Sequence, residues 1–129
     1  MTHIVPFYAA VLAIVFVALS FRTIRMRQRL RVGIGDGGDE RLRRAARAHS
    51  NFAEYVPMAL LLFYFVESRG ASPLLVHALC ASLLAGRMIH AAGVSQVPEP
   101  YVLRMIGMIL TFGSIVTAAI RLLATSFPL

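Results

Sequence analysis

Five residues between positions 44 and 55 are of types that recognise charged and polar ligands. Arg44, Arg47, Asn51 and Glu54 stand at offsets of 0, 3, 7 and 10 residues, and on a helix turning about 100° per residue they form one stripe, with Tyr55 beside it. Two further groups carry the same chemistry: Arg87 with His90 three residues later, and Arg104. Arginine offers planar, bidentate donors suited to carboxylates, asparagine both donates and accepts, and a glutamate takes an amine or amide or holds an arginine in place. Glu54 is the only carboxylate read at this level against several arginines, so the excess positive potential favours an anionic ligand over a closed ion-pair network. The bland alternative is a set of snorkelling arginines, or a structural pair between Glu54 and one of them.

The elements that must position these groups are membrane spans. The chain has 129 residues, is 58% hydrophobic with mean hydropathy +0.72, lacks tryptophan and is only 15% charged, against roughly 25% in soluble domains. Apolar runs cover about 5–21, 52–66, 73–92 and 102–124, and a spanning helix needs about 20 such residues, or about 17 at the short end. The second run reaches that length only if its helix begins back in RAHSN, which places Asn51 and Glu54 at or just inside the bilayer boundary. We therefore read an all-α, up-down four-helix bundle, a single domain over 1–129 with spans at about 5–23, 46–67, 73–93 and 101–124. The first run lacks a preceding basic region and an A-x-A site, so it reads as a retained helix rather than a secretion signal.

All 13 basic residues are arginine and nine of them lie between the first two runs, which puts that loop in the cytoplasm and both termini on the opposite side. Because the arginines accompany spans and lack interleaved aromatics, the net charge of +7 implies no nucleic acid. In VGIGDGGDE the glycines and aspartates suit turns with positive φ, and without a lysine or a preceding strand they make no nucleotide loop. Ser72 before Pro73 is a candidate N-cap, and Pro57 frees the carbonyl of Ala53 inside the second span. Cys80 and His77 read as packing residues. His49 points about 200° from Arg47 and belongs to another surface. The histidines form no ligand cluster, so no metal is expected.

The segment R-A-H-S-N-F-A-E-Y-V-P, residues 47–57, resembles the R-A-x-x-N-x-x-E-Y-x-P signature of the membrane-associated proteins in eicosanoid and glutathione metabolism, the MAPEG family, and most closely its short bacterial type. The likeness extends over four spans, the basic first loop, Arg87 with His90, and an arginine opening the fourth span. It implies a homotrimer in a bacterial inner membrane with glutathione as co-substrate, bound between subunits near the cytoplasmic face. By that likeness Arg47, Asn51, Glu54 and Tyr55 contact glutathione, Arg87 and His90 line the site, and Arg104 stands near the thiol. Arg27 is the preferred match for a first-span arginine, with Arg25 next. The implied reaction is a glutathione transferase or peroxidase acting on a lipophilic electrophile or hydroperoxide, in which a guanidinium lowers a thiol pKa of about 8.5. Val94, Met105 and Met108 stand where eicosanoid-forming relatives have tyrosine or serine, which points away from eicosanoid chemistry.

Two other classes fit the same size. A small multidrug or proton-coupled transporter requires a carboxylate deep in the first helix, and that helix has none. A non-catalytic membrane assembly protein requires only that the arginine-rich loop meet anionic membrane lipid, at about 1 kcal/mol per basic residue near the surface.

Overall fold

The computed structural model describes residues 3–127. It contains four helices in chain order: α1 (Ile4–Leu30), α2 (Glu40–Ser68), α3 (Pro73–Val94) and α4 (Tyr101–Ser126). The all-α, four-helix reading therefore holds, and α1 and α2 run well past the spans read from hydropathy. At a rise of about 1.5 Å per residue, the 27 residues of α1 extend about 40 Å, longer than a hydrocarbon core of about 30 Å. Helices α1, α3 and α4 are each long and apolar enough to cross a membrane. Helix α2 carries its charged residues, Glu67 excepted, in its first half and its apolar run in its second.

The boundaries follow local chemistry. Asp39 caps α2, its carboxylate accepting from the Leu42 amide at 2.8 Å, and Ser72 caps α3 ahead of Pro73 by accepting from the Leu75 amide at 3.4 Å. Such caps satisfy amides that have no intrahelical acceptor. Between α1 and α2, Gly35, Gly37 and Gly38 adopt positive φ of 74°, 58° and 82°, as the glycine-rich loop predicts. The cap of α1 comes from far along the chain. Glu67, at the end of α2, accepts from the Ile4 amide at 2.6 Å and the Val5 amide at 3.2 Å. Ile4 and Val5 are buried, so these amides have no water to turn to, and a carboxylate there also complements the positive end of the helix.

Helix α2 touches all three others, whereas α1 and α4 lie on opposite sides and make no contact. The buried positions of α2, Leu42, Ala45, Ala48, Phe52, Val56, Ala59, Phe63 and Val66, recur every three or four residues, the spacing of one helix face. Those from Phe52 to Val66 meet Leu12, Val76, Leu79, Leu83 and Ala118 in one core that also contains Cys80. Ile14, Met58, Ile109, Val116 and Ile120 remain exposed on the outside, where a bilayer or a neighbouring subunit takes the place of water. His49, on the side of α2 away from Arg47, stacks on Phe16 with ring centroids 4.9 Å apart and lies 2.8 Å from Ser20 Oγ. Its separate surface is the seam with α1.

The α3–α4 pair is the most intimate. A Cβ added at Gly107 would stand 2.6 Å from His90 Cβ and 2.7 Å from the Gly86 carbonyl oxygen, and one added at Gly86 would stand 2.9 Å from the Gly107 carbonyl oxygen. The two backbones touch at that level. Of the small residues visible in the sequence, Gly86 takes part, whereas a Cβ at Gly113 would meet nothing.

Candidate functional site

The close approach of α3 and α4 brings Arg87 against α4 and α2. Arg87 is 1% exposed, and its guanidinium is fully engaged: Nε donates to Thr111 Oγ1 at 2.9 Å, Nη1 donates to Asn51 Oδ1, and Nη2 points to the Gly107 carbonyl oxygen and Met108 Sδ, each at 3.4 Å. Thr111 Oγ1 in turn donates to the Gly107 carbonyl at 2.8 Å. The ring of Tyr55 lies 5.6 Å from the guanidinium carbon and meets Phe112 edge-on, so the cation also gains the face of an aromatic quadrupole. Asn51 is buried as well. Among the described residues none of these partners is a carboxylate: Arg87 is a buried cation held by neutral acceptors.

Outside this knot Arg44, Arg47 and Arg104 are paired with carboxylates. Arg47 Nη1 lies 3.4 Å from Glu54 Oε1, with both side chains about half exposed. Exposed pairs of this kind contribute little to stability and open readily to a competing ligand. Arg44 Nη2 lies 3.0 Å from Glu40 and its Nη1 3.1 Å from Glu99, while Arg104 Nη1 lies 3.3 Å from the other oxygen of Glu99. Glu40, Arg44, Arg47, Val94, Glu99 and Arg104 line one open pocket of about 300 Å³, where the start of α2, the end of α3 and the start of α4 meet. Arg47 and Arg104, far apart in sequence, share that pocket.

The other expected site residues are placed differently. His90 is buried at the α3–α4 contact. Arg27 donates from Nη1 to the Gly35 carbonyl at 2.6 Å and so braces the first loop within the subunit, while Arg25 is exposed. No group of three metal-ligating side chains occurs among the described residues.

The reading of a nearly unopposed arginine cluster needs correcting, because Glu99 and Glu40 both reach it. Glu99 lies in the loop between α3 and α4, where spacing on a helix face says nothing. Its one sequence signal is a lone carboxylate, between Pro98 and Pro100, in a loop on the arginine-rich side. Burial alone raises the Glu99 pKa, but the hydrogen bond from Arg44 and the charge of Arg104 outweigh it and hold the carboxyl below its usual range; the same pair, with Glu40, raises the pKa of Arg44. A depressed carboxylate pKa stabilises the fold above the unfolded value of about 4.3 and loses that contribution as pH falls through the folded value. Thermal unfolding in detergent should therefore fall by a few degrees more in wild type than in Glu99→Gln between about pH 6 and about pH 3. Parallel pH profiles would remove this role for Glu99.

The sequence profile of the MAPEG family matches residues 5–124. This chain belongs to the MAPEG family. It is 42% identical over 86 residues to the inner membrane protein YecN of Escherichia coli strain K12, and equally to that of Escherichia coli O6:H1. The matched segment covers 67% of this chain and 66% of each relative, so the chain spans slightly less than two thirds of their length. No solved structure matches significantly. Family membership and three membrane-length helices make this MAPEG protein an integral membrane protein, and the relatives it matches are inner membrane proteins.

Proposed function

We propose that this MAPEG protein binds glutathione at the cytoplasmic ends of α2, α3 and α4 and activates its thiol for attack on a lipophilic electrophile. The observation that supports the reading is one open pocket lined by more arginines than carboxylates, Arg44, Arg47 and Arg104 against Glu40 and Glu99, with Arg47 and Arg104 about half exposed in pairs a ligand can open. A tripeptide with two carboxylates supplies the missing anions. In this reading Arg47 leaves Glu54 for a ligand carboxylate, Glu54 takes the ligand amine, and Tyr55 covers Arg87 from the ligand side.

Asn51 and Arg87 are positioning residues in this scheme, because each saturates the other and fixes the face that Arg47, Glu54 and Tyr55 present. Arg104 leaves Glu99 to stand beside the sulfur and favours the thiolate electrostatically. The thiol proton goes to solvent. The thiolate then forms a carbon–sulfur bond as the leaving group departs with its electron pair. With a lipid hydroperoxide, two glutathione molecules are oxidised to the disulfide while the peroxide is reduced to an alcohol and water. Assembly as a homotrimer, with the first loop cytoplasmic and both termini across the membrane, belongs to the same proposal: a neighbouring subunit closes the open side of the pocket and brings its Arg27 to it.

Calorimetry on detergent-solubilised protein tests the reading. Wild type should bind glutathione in the micromolar to millimolar range, and Arg47→Ala and Glu54→Gln should each weaken binding about tenfold or more, since a lost hydrogen bond to a charged group is worth about 1.5–3 kcal/mol. No binding by folded wild type would reject it. That outcome would favour a non-catalytic assembly protein, a reading supported by the in-subunit pairing of Arg47 with Glu54 and of Arg104 with Glu99.

A further inference from the structure

Arg22 is the one arginine whose buried nitrogens have nothing to bind. Its Nε and Nη2 are shut off from solvent and have no hydrogen-bond partner among the described residues. Buried polar groups are almost always satisfied, and an unpaired charge costs most of all. These two nitrogens form one edge of the guanidinium. They project parallel N–H bonds, the geometry that grips two oxygens of one anion.

As it stands that edge is covered, and an anion's oxygen reaches it only once the guanidinium turns, for which the adjoining pocket gives room. Arg22 and Met26 of α1, Arg41 and Ala45 of α2, and Ser95 and Val97 of the α3–α4 loop line a pocket of about 300 Å³. None of these residues belongs to the pocket of Arg47 and Arg104. Counting from Ile4, Arg22 lies roughly 27 Å along α1, where a hydrocarbon core of about 30 Å gives way to headgroups. Every side-chain carboxylate of the chain already has a partner within the subunit. Of the six acidic residues, Asp36 faces Arg43, Asp39 and Glu67 cap helices, and Glu40, Glu54 and Glu99 pair with arginines.

We propose that this pocket binds a phosphate group, gripped side-on by Arg22 with Arg41 at its mouth. The anion comes from outside the protein, and phosphate is the anionic group that a bilayer places at this depth. The site is separate from the glutathione reading and stands or falls without it.

Native mass spectrometry and thermal unfolding of the detergent-solubilised full chain test it, with phosphatidylglycerol, phosphatidylcholine and inorganic phosphate as probes. Wild type should retain phosphatidylglycerol at least about tenfold better than phosphatidylcholine and melt higher with it; Arg22→Gln should abolish the preference, and Arg41→Gln reduce it about fivefold. Arg22→Met, which removes the unpaired charge but keeps an apolar stem, should fold in neutral detergent and also lack the preference. Stabilisation by millimolar phosphate alone would identify the source as free phosphate. Stabilisation by phosphatidylglycerol alone would identify a headgroup. Preference surviving in both Arg22 variants, an equal loss in Arg29→Gln at the exposed end of α1, or no response to either phosphate source would overturn the proposal.

Discussion

Arg87→Met should lower the stability of the detergent-solubilised protein by about 3 kcal/mol, measured by thermal or denaturant unfolding. The substitution keeps much of the side-chain length but withdraws every donor, leaving Asn51 Oδ1 and the outward lone pair of Thr111 Oγ1 facing apolar surface. Each buried acceptor left unsatisfied costs about 1–3 kcal/mol, and the cation–π contact with Tyr55 is lost as well. Arg87→Lys should rescue little, because a single ammonium cannot reach acceptors on α2 and α4 together. The converse change, Asn51→Leu, leaves the buried cation short of an acceptor and should destabilise at least as much. Combining Arg87→Met with Asn51→Leu should cost less than the sum of the two, since removing both members of a buried polar pair spares the penalty of stranding either one. Additive losses would show that the two residues do not act as a unit.

Gly107→Leu should separate α3 from α4 and lower stability by about 3 kcal/mol or more. Even the first carbon of a side chain at 107 would fall within 2.7 Å of backbone atoms of His90 and Gly86, and backbone cannot rotate aside as a side chain can. Overpacking in a well-filled interior typically costs about 1–3 kcal/mol, and a rigid backbone contact belongs at the upper end. The displacement would also carry Gly107 and Thr111 away from Arg87, so glutathione binding, if the proposed function holds, should fall together with stability. Gly113→Leu is the control. Position 113 is open, and the unfolding free energy of this variant should fall no more than about 0.5 kcal/mol below wild type.

Much of this molecule was legible from local chemistry. Four hydrophobic segments, the cap at Ser72, the glycine-rich turn, and a polar stripe through RAHSNFAEY each depend on residues within a few positions of one another, and the family signature in that stripe was sufficient to recognise the MAPEG family. The stripe itself divided in a way that spacing did not foretell. Asn51 turned inward to Arg87, whereas Arg47 and Glu54 stayed on the open side, because a face some 100° wide has one edge against a neighbouring helix and the other free.

Partnership across helices was decided only by packing. Glu67 caps a helix more than sixty residues away, Glu99 gathers Arg44 and Arg104 from two different helices, Gly107 rather than Gly113 meets Gly86, and Arg22 is left with two buried nitrogens and no acceptor. Helical periodicity says which face of a helix a residue occupies, but not which neighbour that face meets or at what height. Those depend on the rotation and axial offset of each helix against the next, which close backbone contact between α3 and α4 sets. Sequence therefore specified the membrane helices and their arginine-rich end; tertiary structure chose which arginines are locked inside the fold, which are held in exposed pairs, and which one keeps buried nitrogens without a hydrogen-bond partner.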